Sequence, residues 1–272
     1  MLSAETAISR FRRDVTLAAL LRAALLTGAA VAMGLNLIQA VKFDGTLMLL
    51  GVGVLWVLLS YRSVRGTRLA AESPSLIAAG DLEAAEEQVE RALQSFSLFG
   101  SSKLLSLHHL ALLRHAQRRW GDSAMLCRTL LGQRLGSMRS IAKPSRLLLT
   151  DALLELGDLK GAYVTIADLY REQLSLSESM NLLLVQLDYE SRIGAWQAML
   201  PQGAAYRRLQ LAEMMPAKNA ARAQALMALA ATRLGRMEWA GWLRRRAELL
   251  ADPKDLIAER PILSELWPAP AI

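Results

Sequence analysis

The chain has a single cysteine and three histidines in 272 residues, and almost nothing in it reads as a β-strand. Cys127 alone cannot close a disulfide or build a Cys-based zinc site within one chain, and it fits a reducing compartment. His108, His109 and His115 lie in one helical stretch that offers no Cys, Asp or Glu to complete a metal set, so no metal is expected. No Asn-Gly or Asp-Gly turn sits between alternating apolar runs. A Gly-rich phosphate loop, a His-Glu metal motif and a nucleophile elbow are all missing. These absences leave no catalytic residue and no cofactor to assign, and an enzyme is not expected.

Long apolar runs, by contrast, are present. The first extends from Val15 to Val41 with one charge, Arg22, and its last 19 residues carry none. The second, Gly45 to Tyr61, is an uncharged stretch of 17 residues. As helices these uncharged stretches are about 28 and 25 Å long, near the lower limit for crossing a hydrocarbon core. Lys42, Phe43 and Asp44 form the whole connection, which forces an antiparallel hairpin. Arg22 can extend its stem toward the headgroups from one turn inside the helix. Arg10, Arg12, Arg13 and Arg22 precede the first span, and Arg62, Arg65 and Arg68 follow the second. The positive-inside rule then places both termini in the cytoplasm, in a membrane of the bacterial inner type. Two other readings compete: a cleaved secretory signal ending near Ala30-Val31-Ala32, and buried helices of a soluble protein. The polar lead and Arg22 oppose the former; the apolar character of Leu49–Leu59 on every face opposes the latter. Ala24, Gly28 and Ala32 recur at four-residue intervals and suit close packing, with Gly51 and Gly53 of the second span as the nearest counterpart.

The net charge of +7 is mostly topogenic: residues 1–68 carry +5 and residues 69–272 only +2. No nucleic-acid partner is therefore expected. Within the remainder the charge alternates, −5 over 69–102, +8 over 103–146, −6 over 147–190 and +7 over 191–250. This is the pattern of attraction between neighbouring segments with solvated outer faces, or of a groove with ordered acidic and basic patches.

Residues 69–252 also repeat. Gly80, Gly121, Gly157, Gly194 and Gly235 each sit in a turn between helical patterns, at spacings of 41, 36, 37 and 41 residues. Such a period marks a helical solenoid, and glycine suits a tight link between antiparallel helices. The turns Ala79-Gly-Asp-Leu-Glu-Ala-Ala85, Leu156-Gly-Asp-Leu-Lys-Gly-Ala162 and Leu234-Gly-Arg-Met-Glu-Trp-Ala240 resemble those of the tetratricopeptide (TPR) repeat family. Ala85, Ala162 and Ala240 stand at that family's small position, from which Leu126 and Met199 depart. Two membrane helices followed by divergent repeats are similar to the architecture of bacterial HemY-type membrane proteins, and Tyr189–Trp196 is similar to a repeat segment of that group. The resemblance implies an all-α chain in three parts: an N-terminal segment and transmembrane hairpin (1–68, spans about 15–41 and 45–61), a TPR-like α-solenoid of about five helical pairs (69–252), and a C-terminal cap and tail (253–272). Pro74 starts the first repeat, whose first helix is a stub that the end of the second span can complete. Pro144 suits the first turn of the helix ending near Leu156. Pro201 and Pro216 bound an irregular fourth repeat, and Pro261, Pro268 and Pro270 limit the tail to one short helix and an extended end.

The resemblance also implies which side chains face the groove. His108 and His115, seven residues apart, share one helix face. With Asp151, Asn181, Asp188 and Arg222 they form the candidate partner-binding set. Ala111 and His115 stand where some family members carry a Lys/Asn carboxylate clamp, so binding of chaperone tails is not implied. Trp239 and Trp242 are expected in the core, and Arg244-Arg-Arg246 at a solvated helix end. The sequence thus predicts a membrane-anchored scaffold or adaptor whose partners are the bilayer and one or more membrane-associated proteins. The alternative is a permanent accessory subunit of a larger membrane complex.

Overall fold

In a computed structural model, which describes residues 3–38 and 45–268, the chain is all-α. The helices are α1 (Ala4–Ile38), α2 (Gly45–Leu69), α3 (Ser73–Ala79), α4 (Leu82–Gln94), α5 (Gly100–Ala116), α6 (Trp120–Leu131), α7 (Ala142–Glu155), α8 (Leu159–Tyr170), α9 (Leu176–Arg192), α10 (Trp196–Met199), α11 (Ala205–Glu213), α12 (Ala217–Arg233), α13 (Met237–Leu250) and α14 (Pro253–Glu259). Short 3-10 helices occupy Gly136–Ile141 and Pro261–Leu266. The Lys42-Phe43-Asp44 connection, the last residues of the first span and Pro270 lie outside the described residues. The chain divides into two compact units, Met1–Ala152 and Leu153–Ile272.

Within the first unit, α1 and α2 each contain a stretch long and apolar enough to cross a membrane, Ala4–Gly34 and Thr46–Val64. α1 starts eleven residues before the expected span and runs for 35 residues, about 52 Å. It buries a single stripe. Ala4, Phe11, Ala18, Leu25 and Ala32, each seven residues from the last, are all at most 7% exposed. A strict seven-residue period keeps one seam of a helix against its neighbours along the whole length. Those neighbours change along the way, because α1 packs on α2 and also on α4, α5 and α6. Asp14 fixes one point of the second contact: its carboxylate lies 2.9 Å from the Lys103 ammonium on α5, and Lys103 also donates to the Leu93 carbonyl at 2.6 Å. Farther along α1, Gly28 abuts Val52 of α2, while Gly51 and Gly53 are exposed with open space around them. The small-residue stripe therefore serves the hairpin, but it meets a valine and not the two glycines. Arg22 is half-buried, and its Nε donates to the Ala18 carbonyl at 3.2 Å.

α2 packs on α4 and α5, the same helices that the stub helix α3 meets. Ser63 accepts a 2.6 Å bond from the Leu98 N–H, and His109 of α5 meets both the Ser73 hydroxyl and the Ala70 carbonyl, at 3.0 and 2.9 Å. Pro74 falls in the first turn of α3.

One turn geometry recurs through both units. A residue in the left-handed region follows α3, α5, α7, α9 and α12: Gly80, Arg118, Gly157, Gly194 and Gly235. The next residue's N–H then bonds back five residues, as in Asp81 to Leu76, Arg119 to Arg114, Asp158 to Leu153, Ala195 to Glu190 and Arg236 to Ala231. Gly121 is not the turn residue of the second link; it lies inside α6, and Arg118 holds the left-handed position at φ 58°. With that register the spacings become 38, 39, 37 and 41 residues. Five residues after each turn the buried position is Ala85, Ser123, Ala162, Met199 or Ala240, so Ser123 and not Leu126 fills the second small site. Its hydroxyl donates to the Ala111 carbonyl at 3.1 Å across the α5–α6 contact.

In the second unit α12 is buried on nearly every side, from Ala220 to Ala231, as a central helix must be. Its alanines let α9, α11 and α13 approach. The fourth link is irregular as expected, α10 being only four residues long before α11 resumes. The tail is more ordered than an extended end. Leu256, Leu263 and Leu266 are at most 5% exposed and join the core around α12. Trp239 packs partly into that core, but Trp242 does not: it is 37% exposed on the outer face of α13, with the Arg246 guanidinium 4.7 Å above its ring.

Candidate functional site

Apart from Asn181, the candidate residues belong to two polar groups, one on the α5 face and one around Asp188. In the first, the seven-residue spacing of His108 and His115 does put both on one face of α5, and that face meets α7. His108 lies 2.8 Å from the Ser145 hydroxyl, and His115 Nε2 lies 3.0 Å from Asp151. His115 also stands edge-on to Trp120, with ring centroids 4.8 Å apart. His108 is 7% exposed and Ser145 fully buried. Burial, reinforced by the nearby His109, pushes His108 down to about 4, so the ring is neutral near pH 7. His109 is lowered as well, chiefly by burial, against a smaller opposing effect of the Ala70 carbonyl. A neutral histidine and a serine sealed from solvent join two helices; they offer no nucleophile to a substrate.

A second buried group in the first unit was not singled out from sequence. Arg114, fully buried, reaches Glu86 of α4 at 3.1 Å and Gln117 at 2.6 Å, and Gln117 donates to Glu86 at 2.9 Å. Burial alone would raise the Glu86 carboxyl, but the hydrogen bonds from Arg114 and Gln117 and the arginine's charge outweigh it and hold the group below its ordinary range. Burial also pushes the Cys127 thiol up to about 12, which keeps it an unreactive thiol.

The cluster of the second unit centres on Asp188, which is 1% exposed. Its carboxylate faces Arg192 at 3.3 Å, Arg222 at 3.4 Å and Arg260 Nε at 2.9 Å. Glu155 shares two of these partners, Arg192 at 2.7 Å and Arg260 at 2.8 Å. Arg192 further donates to the Leu154 carbonyl at 2.6 Å. Nearby on α9, Glu190 takes a two-pronged contact from Arg208, at 2.7 and 3.1 Å. Three guanidinium groups and two carboxylates thus tie the last residues of α7, Leu154 and Glu155, to α9, α12 and the segment after α14. Asp188 and Arg222 are brought together as the candidate set implied, but as each other's partners inside the fold. Asn181, by contrast, is exposed on α9.

Sequence reasoning missed Glu155, Arg192 and Arg260. The pair Asp188 and Arg192 has a readable signal, opposite charges four apart on a helix. Arg260 has none, since it arrives from 72 residues away. Part of the alternating charge of successive segments is matched in this way: Glu86 with Arg114, Asp188 with Arg222 and Glu190 with Arg208 each join an acidic stretch to the basic one beside it. Comparison with protein-family models, with curated proteins and with solved structures yields no match to this chain.

Proposed function

We propose that this protein is a membrane-anchored helical-repeat scaffold that holds a protein partner at the cytoplasmic face of a bacterial-type inner membrane. The observation that carries the reading is the unbroken seam of α1. One helix contributes both to an apolar hairpin with α2 and, through Asp14 and Lys103, to the packing of α4–α6. An anchor packed in this way holds the first repeats at a fixed distance and orientation from the bilayer. Confinement of that kind raises the local concentration of a partner without adding contacts. The recurring left-handed turns support a tetratricopeptide-like arrangement of the repeats, and the basic flanks of both spans support cytoplasmic termini. Within the candidate set, Asn181 and the one-fifth-exposed pair His115 and Asp151 are the members a partner can reach. His108, Asp188 and Arg222 act from within.

Gly51 and Gly53 favour a second reading. Both are exposed on α2 with no described atom within 4 Å of an added Cβ, so another membrane helix can approach closely there. On that reading the protein is a permanent accessory subunit of a larger membrane complex. Purification in mild detergent, with identification of what co-purifies, separates the two: substoichiometric partners favour the scaffold and stoichiometric membrane subunits the accessory. Single cysteines at positions 44 and 270 in a Cys127→Ser background test the topology. Labelling of position 44 alone from outside spheroplasts is the expected result.

A further inference from the structure

The surface of α2 carries an open groove of about 650 Å3 lined by Trp56, Val57, Ser60, Tyr61, Val64 and Arg68. Residues 56, 60, 64 and 68 follow one face of the helix, so the groove runs for about 18 Å, comparable with one leaflet of a hydrocarbon core. Its chemistry is graded along that length. Trp56 and Val57 form an apolar end, and Arg68 supplies an exposed cation at the other. Ser60 lies between them. Its hydroxyl is closed to water and has no hydrogen-bond partner among the described residues. That is unusual for a helical serine, which can donate back to the carbonyl four residues earlier. Ser63, three residues on, does so, to Leu59 at 2.8 Å. Arg62 and Arg68 are both exposed on this part of α2, and the sequence has no Asp or Glu between positions 45 and 71.

We propose that this groove is a binding site for one anionic phospholipid. Arg68 takes the phosphate, the Ser60 side chain turns from its buried rotamer into the groove to donate to a glycerol-ester carbonyl, and an acyl chain lies along Val57 and Trp56. The proposal rests on α2 being a membrane span. An amphiphile satisfies the three features together: an apolar body for the apolar end, an acceptor at mid-groove for the unpaired donor, and a negative headgroup for the arginines.

The test uses the full-length protein purified in detergent, with phosphatidylglycerol or phosphatidylcholine added and retained lipid counted by native mass spectrometry. The expected result is one phosphatidylglycerol per chain, preferred about tenfold over phosphatidylcholine, the scale of one charge-assisted hydrogen bond. Arg68→Gln brings the two lipids close to parity, Ser60→Leu fills the groove and abolishes the retained lipid, and Ser60→Ala weakens both lipids together. Arg62→Gln, outside the groove, leaves the preference in place. Equal retention of both lipids by the unaltered protein overturns the site, as does retention that neither Arg68→Gln nor Ser60→Leu changes. Alkaline carbonate extraction of native membranes distinguishes the two failures. Resistance to extraction with no lipid preference removes the site alone, whereas release into the supernatant removes the membrane-spanning reading and the site with it.

Discussion

The two units bury their polar groups by different chemistry. The first uses separate, local closures: Lys103 with Asp14, Arg114 with Glu86, and two neutral histidines on hydroxyls and carbonyls. Each closure joins a repeat helix to its neighbour, and two of them involve α1 or the residues just after α2. The second unit pools its charges in one arginine-rich cluster around Asp188 and draws the C-terminal segment onto it. The difference teaches which perturbation each unit feels. The first should respond to loss of the N-terminal turns of α1 and to acid, and the second to loss of a single carboxylate.

The largest expected effect is at Asp188. Asp188→Ala removes the buried carboxylate that Arg192, Arg222 and Arg260 all face, and breaking a buried pair on one side typically costs about 3–5 kcal/mol. The loss should be confined to the second unit. Denaturant unfolding of the full-length protein in detergent, followed by hydrogen exchange, should show α9, α12 and α13 losing protection while α4–α6 keep theirs. Equal loss in both units would break the comparison.

Acid should act the other way round. His108 has a folded-state value near 4 against an ordinary 6.5, so between those two pH values the unfolded chain takes up a proton that the folded chain refuses. The stabilisation is complete above about pH 6.5 and is lost progressively as pH falls toward 4, by at most about 3 kcal/mol for this one group. His109 shifts in the same direction. The lowered Glu86 adds to the loss at the acid end, because protonation removes a carboxylate that the fold favours charged. Unfolding measured across this window should show the first unit weakening before the second, and His108→Gln should flatten the slope. A second unit that weakens first would reverse the expected order.

The smallest effect is a gain. Arg118 occupies a left-handed turn position that glycine fills at the four equivalent sites. Arg118→Gly should relieve about 1 kcal/mol of backbone strain and raise the midpoint of unfolding of the first unit. A lower midpoint would mean that the arginine side chain contributes more than its backbone costs.

Much of the architecture was legible because it is written in local pattern. Uncharged runs of sufficient length gave the two candidate spans, and glycine turns gave four of the five helix links. The fifth was misplaced by three residues because Gly121 drew attention from Arg118, a residue with no propensity for the conformation it adopts. The face shared by His108 and His115 followed from helical periodicity alone. What could not be read was the destination of that face, α7, or the arrival of Arg260 beside Asp188, since neither contact has a sequence-local cause. Trp242 was misjudged for a related reason: helical spacing places a residue on a face, but only tertiary packing decides whether that face is covered. The role of α1 before Val15 was missed too. Arg10, Arg12 and Arg13 read as a flank of a membrane span, and they hid a buried stripe, Ala4, Ala7, Ile8 and Phe11, that begins ahead of them.

That stripe carries the central claim, that the α1–α2 hairpin and helices α4–α6 are one packed body. The most direct test is hydrogen exchange on the full-length protein and on a chain lacking residues 1–20, both in detergent. The account predicts that amides of α4, α5 and α6 lose protection in the shortened chain while those of α9, α12 and α13 are unchanged. If α4–α6 remain as protected as before, the seam of α1 contributes nothing to the repeats and the anchor is no more than a tether.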